Sequence, residues 1–127
     1  MKKTIRTENA PAAIGPYSQG VGAGGFLYVS GQLPLDPETG QFAAQDIKGQ
    51  TKRSIKNIAV ILAAEGAGLG DIVKTTVFLK NIDDFAGMNE VYAEYFGDEN
   101  CPARSTVEVS ALPKGALVEI EAIAFAG

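Results

Sequence analysis

Histidine is absent from this 127-residue chain, and cysteine occurs once, at Cys101. A Cys/His zinc site therefore cannot be assembled, a Ser-His-Asp or Cys-His nucleophile has no base, and no intrachain disulfide can form. No run approaches the ~20 consecutive apolar residues that a membrane-spanning helix requires. Thr4 to Ala13 also lacks the apolar stretch of a signal peptide, so the expectation is a cytoplasmic protein. Positive charge is in deficit, with 11 Lys and Arg against 15 Asp and Glu. That balance argues against a dedicated nucleic-acid binder, which needs a basic stripe to neutralise phosphates. Lys48, Lys52 and Lys56, spaced four apart, read as one solvated helix face. Chemistry is left to carboxylates, arginine, tyrosine, hydroxyls, backbone groups and water.

A hydrophobic share of 46% and a charged share of 20% suit a soluble globular chain, and the length suits a single domain over residues 1–127. Pro11 and Pro16 make Thr7 to Gly15 an irregular lead-in. Tyr17 to Val21 and Phe26 to Ser30 read as short strands around a hairpin turn, Gly22-Ala23-Gly24-Gly25. That turn is not a phosphate loop, because no GxxxxGK[ST] follows it. Asp46 to about Ala64 is helical in pattern, with Ile47, Thr51, Ile55, Ile58, Ile61 and Leu62 on one stripe. Ile72 to Lys80 reads as a strand, and Asp83 or Asp84 caps a second helix running to Gly97. Arg104 to Ser110 and Leu117 to Phe125 supply the last two strands.

The predicted order is thus β-β-α-β-α-β-β, an α+β fold with both amphipathic helices on one face of the sheet. Val77, Leu79, Val107, Val109, Ile120 and Ala122 are then candidates for the opposite face. So apolar a surface calls for a subunit partner.

Arg104 at the start of a strand has two readings: an edge arginine paired with Glu108, or a planar clamp for a carboxylate. Glu119 and Glu121, two apart, share one strand face with Leu117, Ile123 and Phe125. That face is either solvated or a half-buried setting in which a glutamate's pKa rises and it becomes a base. Tyr17 is a core aromatic or a ligand contact. Ser30-Gly31 ends a strand where glycine admits close backbone approach and offers an N–H to an anion. Helical spacing alone turns Asn89 toward solvent.

Gly15-Pro16-Tyr17-Ser18-Gln19-Gly20, Ser30-Gly31-Gln32, Pro102-Ala103-Arg104-Ser105 and Val118-Glu119-Ile120-Glu121 occur in an order and spacing that resemble the RidA family of enamine/imine deaminases. The likeness runs from about Thr7 to the C-terminus. It implies a chorismate-mutase-like fold packed as a homotrimer, with the sheets forming an inner barrel and the sites lying between subunits. It also implies that the last strand inserts beside the first long strand, leaving the Arg104 strand at an edge. A simple hairpin of the last two strands would instead put Arg104 and the glutamates on one face.

The activity implied is hydrolysis of 2-iminobutanoate and 2-iminopropanoate, released by PLP-dependent dehydratases, to 2-oxo acids and ammonia, with no cofactor or metal. Arg104 would bind the substrate carboxylate, aided by Ser30 and the Gly31 N–H, and Glu119 would hold or activate water. Tyr17 and Asn89 would line the cleft. Thr106 stands where most close relatives carry cysteine, and would offer its backbone carbonyl. A second reading is a non-catalytic regulatory or chaperone-like protein that binds small carboxylates in the same cleft. RNA cleavage, also attached to this family, ranks last for an acidic chain without histidine.

Overall fold

The period-two alternation of Val118–Phe125 decides how the fold is layered. In the computed structural model, which describes all 127 residues, Val118, Ile120, Ala122 and Ala124 are buried while Glu121 and Phe125 are exposed. One face of this strand is thus wholly apolar and demands cover. The elements in chain order are β1 (Lys3–Ile5), β2 (Gly20–Ala23), β3 (Phe26–Gln32), α1 (Ile47–Ala63), β4 (Ile72–Leu79), α2 (Phe85–Phe96), β5 (Ala103–Glu108) and β6 (Val118–Phe125).

They form one six-stranded sheet in the order β1-β2-β3-β6-β4-β5, with only β4 and β5 parallel. The parallel pair requires a crossover, which α2 provides. β6 inserts between β3 and β4, and β5 lies at the edge, as the resemblance implied. β1 was not expected. It is short and without clear alternation, and its main partner is the backbone of β2.

Both helices pack on the face carrying the even-numbered residues of β6. α1 buries Ile55, Ile58, Ile61 and Leu62, each at 1% exposure or less. Each such side chain contributes about 2 kcal/mol through burial. Its buried amides serve the backbone. Asn57 Nδ2 donates to the carbonyls of Leu33 and Leu35 at 3.1 and 3.0 Å, and Gln50 Oε1 accepts from the Leu117 N–H at 2.8 Å. These bonds fix the loop after β3 and the entry to β6, the two strands that carry Gly31 and Glu119.

The assignment of faces corrects the sequence-based expectation. Val77, Leu79, Ile120 and Ala122 lie under the helices, at 3% exposure or less. The helices need the fully apolar face, so they claim these residues. The uncovered face instead presents Phe26, Tyr28, Val107 and Phe125, all exposed, with Lys74, Thr76, Phe78, Glu119, Glu121 and Ile123. The hairpin from β2 to β3 turns at Gly24-Gly25, both at positive φ (60° and 84°), the pairing a tight two-residue turn selects. No helix is long and apolar enough to cross a membrane.

Candidate functional site

The predicted site residues gather into two groups. Arg104 lies on β5 beside Thr75 of β4, and its side chain points to the helix side. Its Nη1 donates to Asn89 Oδ1 at 2.7 Å, and its guanidinium carbon sits 4.6 Å from the Tyr92 ring centre and 5.4 Å from that of Phe85. Phe85, Asn89 and Tyr92 are spaced i, i+4, i+7 on α2 and so form one stripe. Asn89 therefore faces the sheet edge and not open solvent.

Arg104 is not paired with Glu108, whose Oε1 accepts from the Ile82 N–H at 2.8 Å instead. The two ion pairs of the chain, Lys3–Glu65 and Lys48–Glu90, leave Arg104 without a carboxylate. A guanidinium has five N–H donors, and one is committed here. Two residues along the same strand face, Thr106 holds a buried Oγ1 with no hydrogen-bond partner. Half-buried cationic and hydroxyl donors left open at a sheet edge make an anion site.

The second group is built around Glu119. Opposite Glu121 of β6, β3 carries the two residues Ser30 and Gly31, a bulge between the Val29–Ala122 and Gln32–Ile120 pairs. The Glu119 side chain lies over Gly31 so closely that a Cβ at position 31 would stand 2.9 Å from Glu119 Cδ. Burial, and then the neighbouring Glu121 carboxylate, push the Glu119 pKa up from the ordinary glutamate value. Glu119 thus holds its proton more strongly and, once ionised, is a better base.

The Ser30 hydroxyl donates to the Ser18 carbonyl at 2.6 Å, and the Ser30 N–H to the Gln19 carbonyl at 3.0 Å. These bonds dock Tyr17-Ser18 beside the bulge, with Tyr17 53% exposed. Gln19 in turn is locked by bonds to the backbone of Thr7 and Pro11, which is why the strand begins at Gly20 and not at Tyr17. A cavity of about 500 Å³ opens on this side between Tyr17, Gln19 and the Thr4–Ala13 segment.

Arg104, Asn89 and Thr106 thus form one group on the helix side of the edge strand. Tyr17, Ser30, Gly31 and Glu119 form the other, with Glu119 projecting from the uncovered face. Within one chain the two groups are separated by the sheet itself. The sequence reading missed the aromatic bracket of Phe85 and Tyr92 around Arg104. Their spacing with Asn89 on a predicted helix was the available signal.

A mixed six-stranded sheet with two helices on one face is a fold of the chorismate-mutase-like type, here with an open arginine on its edge strand. Residues 7–126 match the family model described as Endoribonuclease L-PSP, and the chain belongs to that family, the RidA group. It is 54% identical over 126 residues to the 2-iminobutanoate/2-iminopropanoate deaminase of Salmonella typhimurium, covering 98% of each chain. Among solved structures it resembles a Rid family protein of Yersinia pestis, with a TM-score of 0.95, 54% identity, and 98% and 99% of the two chains covered. It also resembles Escherichia coli TdcF with bound serine, at TM-score 0.91 and 46% identity, with 98% and 99% covered.

Proposed function

We propose that this protein hydrolyses 2-iminobutanoate and 2-iminopropanoate to the 2-oxo acids and ammonia. The observation that carries the reading is Arg104, bracketed by aromatic rings and free of any carboxylate of its own chain. The substrate carboxylate would occupy its free N–H groups, and the Gly31 N–H would add a donor. An iminium carbon is already electrophilic, so the protein needs to supply position and a base. Glu119 takes a proton from water as its oxygen bonds to the imine carbon. Glu119 returns that proton to the amino nitrogen, the C–N bond breaks as ammonia leaves, and the hydroxyl gives its remaining proton to Glu119 as the carbonyl forms. Thr106 contributes its backbone carbonyl, while Tyr17 and Asn89 shape the cleft. The serine-bound relative and the deaminase relative support a small carboxylate-bearing ligand.

The opposite orientations of Arg104 and Glu119 support a site assembled between subunits, with the second group of one chain meeting the first group of the next. A homotrimer with the uncovered sheet faces inward would achieve this, and would hide Phe26, Tyr28, Val107 and Phe125. One sheet and one main core cluster support a single domain over residues 1–127. The free Cys101 suits a reducing, cytoplasmic setting.

The test is a coupled assay in which a threonine dehydratase releases the imine and semicarbazide traps it. Adding this protein should lower semicarbazone formation and speed the appearance of 2-oxobutanoate. An unchanged rate at protein concentrations matching the dehydratase would sink the deaminase reading.

A further inference from the structure

Tyr92 is only 5% exposed, and its hydroxyl shares a 2.8 Å hydrogen bond with Thr75 Oγ1, itself 1% exposed. Thr75 is the β4 partner of Arg104 in the parallel register. The hydroxyl pair therefore ties the Tyr92 ring to the backbone position next to the arginine. The ring also packs against Phe96, with centroids 4.4 Å apart. The guanidinium carbon lies 4.6 Å from the ring so fixed, while Asn89 holds Nη1. Filling the space would need only a phenyl ring, and a buried phenol left unpaired would be costly.

We infer that Tyr92, latched through its hydroxyl to Thr75, is the positioning residue that aims the Arg104 guanidinium and so sets affinity for carboxylate-bearing substrates. The inference rests on the clamp reading of Arg104 given above. An arginine side chain has many rotamers. The ring below, Asn89 at one nitrogen and the apolar contact of Phe85 together leave one direction for the free N–H edge. Substrate affinity is then written partly in residues that never touch the substrate.

The experiment compares Tyr92→Leu, Tyr92→Phe, Thr75→Val and Arg104→Ala in the intact protein, reading 2-oxobutanoate affinity by calorimetry, and KM and kcat in the trap assay. Removing the ring in Tyr92→Leu should weaken affinity and raise KM about tenfold. Its kcat should stay within about threefold of the parent, the pattern of lost uniform binding. Tyr92→Phe, which keeps the ring, should recover most of that loss. Tyr92→Phe and Thr75→Val should each raise KM by about twofold, and together no more than either alone, because they break the same bond. If Tyr92→Leu does not fold, the phenylalanine and valine variants decide. Parent-like KM and affinity in both, while Arg104→Ala has lost binding, would overturn the positioning role and leave the clamp standing. Parent-like affinity in Arg104→Ala would remove the clamp, and this inference with it.

Discussion

Arg104 and Glu119 stand on strands separated by β4 and project from opposite sides of the sheet, the first beneath Phe85 and Tyr92 and the second over Gly31. No side-chain rotation brings them together within one chain. A reaction that uses both needs two chains, and this has a direct test. Arg104→Ala and Glu119→Gln proteins should each be inactive. Refolding them together in equal amounts should restore about a quarter of parental activity, since half the chains supply each intact group at every interface. A mixture as inactive as its components would place the whole reaction within one chain.

Glu119 should act in its ionised form, so turnover should rise with pH through its raised pKa and reach half-maximum above the ordinary glutamate range. For stability the sign is the reverse of the usual carboxylate case. The folded chain holds the Glu119 proton more tightly than the unfolded one. Its contribution is full below the unfolded pKa and is lost as pH rises through the folded pKa. Glu119→Gln should therefore lose at least about 10²-fold in kcat. Its thermal midpoint at neutral pH should equal or exceed that of the parent. A calorimetric scan beside the pH–rate profile checks both signs.

Gly31→Ala tests the packing beneath the base. The added methyl would meet the Glu119 carboxyl, a flexible group that moves aside more readily than the backbone does. The fold should survive while the base is displaced. Loss of about 10²-fold in kcat is the scale for a catalytic group misplaced by about 1 Å. Circular dichroism unchanged from the parent, together with an unchanged kcat, would show that Glu119 tolerates the shift.

Val107 is 44% exposed on the uncovered face of the edge strand, well away from the helices. Val107→Asp should leave the chain folded and, by placing a charge where subunits would meet, reduce its mass in sedimentation to that of a monomer. Activity should fall with it although Arg104 and Glu119 are untouched. A parental sedimentation coefficient would move the contact to another surface.

Both long helices and β3, β4 and β6 are legible in the sequence from their hydrophobic patterns, while β2, expected at Tyr17–Val21, lies at Gly20–Ala23, where glycine and alanine give little pattern to read. β1 is not, since three residues with one buried side chain give no period to read. The sidedness of the sheet was misread for Val77, Leu79, Ile120 and Ala122. Apolar residues look alike whether a helix or a subunit covers them, and the choice is made by where α1 and α2 land. Arg104 and Glu119 stand out as charges on strands. Their surroundings depend on strand adjacency that local pattern does not encode: Thr75 beside Arg104, and Gly31 beside Glu119. Asn57 and Gln50 look like ordinary helix polars until the loops they bind are in place.

The Ser30–Gly31 bulge limits how the chain can change in length. Leu27, Val29 and Gln32 are all buried on the helix side, a sequence of positions that strict alternation forbids and the extra residue permits. Deleting one residue there would reverse the strand before it, driving Tyr28 and Phe26 into the core and turning Leu27 and Val29 outward. Insertions and deletions should therefore be rejected at the bulge, whereas at the Gly24-Gly25 turn they would disturb only the bond from the Ala126 N–H to the Gly25 carbonyl and the packing of Phe125. The spacing between the turn and Gly31 is a fixed length of the molecule.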